Sequence, residues 1–174
     1  MTLTRRLLLT WPLAAALPSR AQAGGRVLLL RHAQTVPGIG DPPQFRLGDC
    51  ATQRNLSDEG RAQARRLGPL LAARGLTPQQ VRSSQWCRCT DTAQLAFGRA
   101  EPWPALNSFF QGQGDRDRQT AALRAALAAV PPGRIEAWVT HMVNITALTG
   151  EGVAMGEVLV LDAATGRIVE RIQP

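Results

Sequence analysis

No lysine and no tyrosine occurs in this 174-residue chain, and all 20 of its basic side chains are arginine. Schiff-base lysine chemistry, a phosphate-loop lysine and a tyrosine general acid are therefore excluded. Aromatic residues make up only 5% of the sequence, histidine occurs twice and cysteine three times. Cys50, Cys87 and Cys89 lack the paired spacing of a zinc site, because Cys87-Arg88-Cys89 is tighter than the usual two-residue gap. No uninterrupted apolar run reaches the ~20 residues of a membrane span. A hydrophobic content of 44% over this length is enough for one folded domain whose core needs no disulfide.

The charge balance is +7, with a pI near 11.2. That pI reflects the persistence of guanidinium charge to high pH more than a large excess of cations. The arginines are dispersed and partnered by acids in sequence, without the basic clusters and interleaved aromatics of a nucleic-acid surface, so no nucleic-acid partner is expected.

Met1–Ala23 has the order of an export signal. Arg5 and Arg6 precede the apolar stretch Leu7–Leu17, and Ala21-Gln22-Ala23 supplies small residues at a cleavage site. The opening is compatible with a twin-arginine or a Sec signal. A mature domain over residues 24–174, periplasmic or secreted and without a membrane span, is expected. Loss of Arg5, Arg6 and Arg20 takes the +7 down by three, to +4. In an oxidising compartment Cys50 pairs with either Cys87 or Cys89; the other reading is three buried thiols.

From Gly24 the pattern alternates. Arg26–Arg31 (RVLLLR) reads as a strand buried on both faces. A Pro- and Gly-bearing loop runs from His32 to Asn55. Ser57 caps a helix whose apolar stripe ends at Gly75. Thr77–Gln80 predicts a helical turn, 81–84 a short strand and Gln85–Phe97 a helix stopped by Gly98. Glu101–Gly114 reads as a long excursion, with Trp103, Phe109 and Phe110 as pocket walls. Asp115 or Asp117 caps an alanine-rich helix ending near Val130. Ile135–Thr140 is a third strand, 145–148 a brief helix, and 157–172 a hairpin. The class is α/β, a mainly parallel sheet with helices on both faces.

His32 directly follows the first strand and His141 the third. In an open parallel sheet the C-terminal strand ends share one edge, where ligands bind, so both imidazoles are expected in one crevice. Arg31 adjoins His32, and Arg88 lies near the start of the helix after the short second strand. Two guanidinium forks and a helix N-terminus suit an oxyanion. Neutral His32 is then placed to attack phosphorus while Arg31, Arg88 and His141 hold the oxygens, with no metal or other cofactor required.

These segments resemble the histidine phosphatase superfamily, whose fold is phosphoglycerate mutase-like and three-layered. Arg31-His32-Ala33-Gln34-Thr35 is similar to its Arg-His-Gly motif. Leu56–Ala64 resembles its first-helix signature, Ser83–Arg88 with Thr92-Ala93 its second-arginine segment, and Thr140-His141 its second-histidine position. The resemblance implies that His32 becomes phosphohistidine and that Arg31, Arg88 and His141 bind the phosphoryl group of a phosphorylated substrate. Asn55, with Gln53, Arg54, Phe109 and Phe110, is a further candidate substrate contact.

The departures concern the proton donor. Leu106-Asn107-Ser108, where many members place a glutamate, has no acid, and Met142 follows His141 where another branch has aspartate. Glu101, Asp115 and Asp117 are loop acids that offer a carboxyl for that role, although a solvated or capping charge is the expected reading of each. An acyl phosphate or phosphoramidate would lessen the need for a donor. A phosphate-binding pseudoenzyme is the alternative.

Overall fold

The computed structural model describes residues 24–174, so the export signal expected over Met1–Ala23 lies outside the described residues. A six-stranded sheet forms its middle layer. The elements run β1 (Arg26–Arg31), α1 (Asp58–Ala72), β2 (Gln80–Ser83), α2 (Cys87–Phe97), β3 (Glu101–Pro102), α3 (Arg116–Ala128), β4 (Ile135–Thr140), α4 (Met142–Thr149), β5 (Val158–Asp162) and β6 (Ile168–Ile172). Strand order is β3-β2-β4-β1-β5-β6. The first four are mutually parallel, β5 is antiparallel to its neighbour β1, and β6 is antiparallel to β5.

The period-2 geometry of β1 divides the core into two halves. Leu28 and Leu30 pack with Leu67 and Leu71 of α1 and Ala93 of α2. Val27 and Leu29 pack with Leu123 and Leu127 of α3 and Ile145 of α4. Both sets are buried, and each leucine contributes about 1.5–3 kcal/mol relative to exposure. Helices on both faces are thus a direct consequence of a strand apolar at all four of its inner positions, Val27 to Leu30, as the sequence implies.

Ser57 caps α1, its hydroxyl accepting from the Gly60 amide at 3.1 Å. Asp115 caps α3, accepting from the Arg118 amide at 2.9 Å. Three expectations need correction. Thr77–Gln79 is not helical: the Gln79 amide donates to the Ile135 carbonyl at 2.9 Å, and its side chain accepts from the Ile135 amide at 2.7 Å. Pairing with β4 wins because so short a segment cannot repay helix nucleation. The excursion after α2 contains the two-residue strand β3 and single turns of 3₁₀-helix at Pro104–Leu106 and Phe110–Gly112. Finally, α4 begins at Met142, directly after His141, instead of at Ile145.

Cys50 is disulfide-bonded to Cys87, while Cys89 is a buried free thiol. The bridge pins the loop between β1 and α1 to the first residue of α2. It closes a 37-residue separation, for which chain-entropy arguments give about 3–4 kcal/mol of stabilisation. Urea unfolding with and without reductant, beside Cys50→Ser/Cys87→Ser, should show that difference, and coincident curves would contradict it.

Candidate active site

Sheet register brings the two histidines together. Arg31 of β1 pairs with Thr140 of β4, so the next residues, His32 and His141, leave adjacent parallel strands side by side. The His32 amide donates to the Thr140 carbonyl at 3.0 Å, and the two rings lie 5.6 Å apart, centroid to centroid, in an edge-on arrangement. They are 3% and 4% exposed. His32 Nδ1 lies 2.9 Å from the Ala33 carbonyl. A carbonyl only accepts, so Nδ1 carries the hydrogen and Nε2 holds the free lone pair.

Thr92 holds this loop against α2. Its hydroxyl accepts from the Ala33 amide at 3.0 Å and donates to the Arg88 carbonyl at 2.6 Å, giving the Thr of the second-arginine segment a mechanical role. Gln63 of α1 does the same from the other side, accepting from the Gln34 amide and donating to the Met155 carbonyl, each at 3.0 Å. The hydroxyl of Thr140 is satisfied by donating to the Leu106 carbonyl at 2.7 Å.

The crevice above the histidines has a volume of about 310 Å³ and is lined by Arg31, Arg54 and Arg88, with Phe110, Met142 and Met155 among its apolar walls. Arg31 donates to the Val153 carbonyl at 2.8 Å. Its Nε, like that of Arg88, is buried without a partner. Arg54 is anchored to the Gly40 carbonyl at 2.8 Å and the Thr35 hydroxyl at 2.6 Å. Burial, then the mutual repulsion of the guanidiniums, lowers the pKa of both Arg31 and Arg54. Such a cluster of cations is built for an anion.

One group of the site carries no signal in the sequence. Asp41, in the loop after β1, receives both arms of the Arg88 fork, at 2.7 and 3.1 Å, and also accepts from the Trp86 indole at 3.0 Å and the Arg54 amide at 2.9 Å. The paired side chains are 4% and 2% exposed. Burial alone raises the Asp41 pKa, but the Arg88 fork and the Arg54 amide outweigh it and hold the carboxyl below its ordinary value. It is an ionised partner of Arg88 rather than a stored proton. Nothing in the periodicity of a Gly- and Pro-rich loop marks such a residue.

The other site candidates divide. Arg31, His32, Arg88, His141, Arg54 and Phe110 all line the crevice, and Asn55 and Gln53 do not. The Asn55 amide donates to the Cys50 carbonyl at 2.6 Å, and Gln53 accepts from the Cys87 amide at 2.9 Å. Gln53 thereby occupies one of the amides at the start of α2 that the sequence left free for phosphate. Glu101 pairs with Gln80 at the sheet edge, Asp115 caps α3, and neither they nor Asp117 line the crevice. Among the described residues, no three His, Cys, Asp or Glu side chains are grouped to hold a metal ion, and no helix is long and apolar enough to cross a membrane.

Burial, reinforced by the charge of Arg88, lowers the pKa of His32 to about 3 and that of His141 well below its ordinary 6.5. Unfolding therefore takes up protons below pH 6.5. Stability is fully present above that pH and is lost as pH falls toward 3, by up to about 1.4 kcal/mol per pH unit per imidazole. Urea midpoints should decline steadily on acidification from neutral pH, and less steeply in His32→Asn. Midpoints equal in slope for the two proteins would contradict a neutral, buried His32.

Among solved structures, SixA from Agrobacterium tumefaciens matches with a TM-score of 0.62 and 25% identity over 86% of this chain and 98% of its own. The protein histidine phosphatase SixA complexed with tungstate also has a TM-score of 0.62, at 18% identity over 84% of this chain and 96% of its own. A mycobacterial glucosyl-3-phosphoglycerate phosphatase gives 0.59, with 20% identity over 78% and 89% of the two chains. No curated protein sequence matches significantly. The model of the histidine phosphatase superfamily (branch 1) matches residues 27–113, a span that takes in Arg31, His32, Asp41 and Arg88. With its two histidines and its arginines converging at the C-terminal edge of a parallel sheet, the chain belongs to the histidine phosphatase superfamily and is a phosphatase.

Proposed function

We propose that the protein is an exported, metal-independent phosphatase that works through a phosphohistidine on His32. The observation that carries this reading is the direction of the His32 ring: Nδ1–H is held by the Ala33 carbonyl, which leaves Nε2 as the nucleophile. Depression of its pKa to about 3 keeps that lone pair available through the physiological range. In the first step Nε2 bonds to phosphorus while the bond to the leaving group breaks, its electron pair departing with the leaving atom. In the second, water bonds to phosphorus, and the electron pair of the N–P bond returns to Nε2. Arg31, Arg54 and Arg88 offset the charge of the transferring group, which supports a reaction without a metal.

The crevice contains one carboxylate, and Arg88 holds it ionised. A substrate whose leaving group needs little protonation, such as a phosphoramidate or an acyl phosphate, fits that chemistry better than an alkyl phosphate. The likeness to a protein histidine phosphatase supports the same direction. The Cys50–Cys87 bridge supports an oxidising compartment, and protein recovered from the periplasm should begin at Gly24.

The test is hydrolysis of an aryl phosphate with chelator present, followed by trapping of the phosphoenzyme. The expected product is an acid-labile, base-stable phosphoprotein, with turnover indifferent to chelation. Turnover abolished by chelator and restored by a divalent metal would overturn the reading.

A further inference from the structure

The second histidine is held by a relay that starts at Asn107. Its side-chain oxygen accepts from the backbone amide of Gln85 at 2.9 Å, and its nitrogen donates to the Gln85 side chain at 2.8 Å. The backbone donor fixes which end of the amide is which. Ser84 Oγ donates to that same Asn107 oxygen at 3.3 Å. Its one hydrogen committed, Ser84 is left as an acceptor: from the Trp86 amide at 3.3 Å and from His141 Nε2 at 2.8 Å. Cys89 Sγ also lies 3.5 Å from this nitrogen, but its hydrogen goes to the Thr140 carbonyl at 3.6 Å, so it too faces Nε2 as an acceptor and hydrogen sits on Nε2 of His141.

The other side of the ring gives the same answer independently. His141 Nδ1 lies 3.4 Å from Nη2 of Arg88. A guanidinium only donates, so Nδ1 must accept. The two imidazoles of the protein thus carry their hydrogens on opposite nitrogens, Nδ1 in His32 and Nε2 in His141.

We propose that Ser84 and Asn107 are positioning residues of the phosphatase reaction, fixing the His141 tautomer so that Nδ1 is the one atom through which it exchanges a proton with the crevice. A phosphoryl dianion on Arg31 and Arg88 favours protonated His141. With Nε2–H already engaged by Ser84, the added proton goes to Nδ1, from which it donates to a phosphoryl oxygen. With no phosphoryl oxygen present to accept it, a hydrogen on Nδ1 would set an N–H of His141 against an N–H of Arg88. Asn107 falls within the stretch where many superfamily members place a glutamate proton donor, so the amide turns that place into an anchor for the histidine.

What Nδ1 meets rests on the phosphoryl-transfer reading above; the tautomer does not. Nitrogen-15 NMR of the two imidazoles, with and without vanadate, separates the two questions. In the unmodified protein His141 should carry hydrogen on Nε2 alone, and vanadate should add a proton at Nδ1. Ser84→Ala should mix the His141 tautomers, leave His32 unchanged and lower kcat for an aryl phosphate about 10- to 100-fold with a shifted pH profile, and Ser84→Thr should restore both. Asn107→Leu frees the Ser84 hydroxyl to donate, and should raise the Nδ1–H population without removing Ser84. Hydrogen on Nδ1 of His141 in the unmodified protein would overturn the inference, as would Ser84→Ala or Asn107→Leu with an unchanged tautomer and pH profile. Absence of turnover with the expected tautomers in place would instead overturn the phosphatase mechanism built on His32.

Discussion

His32→Ala is expected to lower aryl phosphate turnover by at least about 10⁴-fold, since a step that needs a covalent intermediate has no substitute route once its nucleophile is gone. The only other imidazole cannot stand in. His141 presents Nδ1 to Arg88 and has its Nε2 tied to Ser84. Vanadate should still bind, because the guanidiniums remain, although without a bond to Nε2. The substitution also leaves the Ala33 carbonyl without its buried donor, at about 1–3 kcal/mol, so turnover is compared at a temperature where circular dichroism shows the variant folded. Free imidazole in the vacated space should restore part of the activity. Turnover within tenfold of the unmodified protein would rule out His32 as nucleophile.

The second large effect belongs to the Arg88–Asp41 pair. Arg88→Ala leaves a carboxylate with a side chain 2% exposed and no ionic partner, a change that costs about 3–5 kcal/mol of stability. It also removes a guanidinium from the crevice, weakening phosphate-analogue binding by about 1.5–3 kcal/mol, or roughly ten- to a hundredfold. Adding Asp41→Asn separates the two consequences. The double variant should recover much of the lost stability, since no charge is stranded, yet none of the lost affinity. Vanadate affinity equal to that of the unmodified protein in the folded double variant would show that Arg88 serves Asp41 and not the substrate. Asp41→Asn alone should destabilise the protein while leaving the anion site intact.

The parts legible in the sequence were those written in local pattern. The apolar run Val27 to Leu30 within β1, the Ser57 cap and the strand Ile135–Thr140 announce the layered sheet, and because β1 and β4 are neighbours in register, two histidines following two strands mark the crevice. For the cysteines the sequence leaves two pairings and three free thiols open, and Cys50–Cys87 is the arrangement that forms. Contacts made by loops were not legible. Asp41 reaches Arg88 across 47 positions, and Ser84 reaches His141 across 57, and no periodicity encodes such meetings. Asn55 is a polar residue just before α1 and so a candidate by position, but its amide secures the Cys50 turn. The turn expected at Thr77–Gln80 failed for the opposite reason, since a good local cap was overruled by β4.

The ends of the sheet have a consequence of their own. On one side β3 is two residues long and finishes in Pro102, which has no amide hydrogen to offer. On the other, β6 carries Arg171 and Glu170 along its length, ion-paired to Glu151, Glu157 and Arg74. A neighbouring molecule seeking to extend the sheet by backbone pairing meets proline at one border and a row of fixed charges at the other. The architecture therefore discourages fibril-like stacking at both borders, a property suited to a protein whose parallel strands must be assembled from distant parts of the chain.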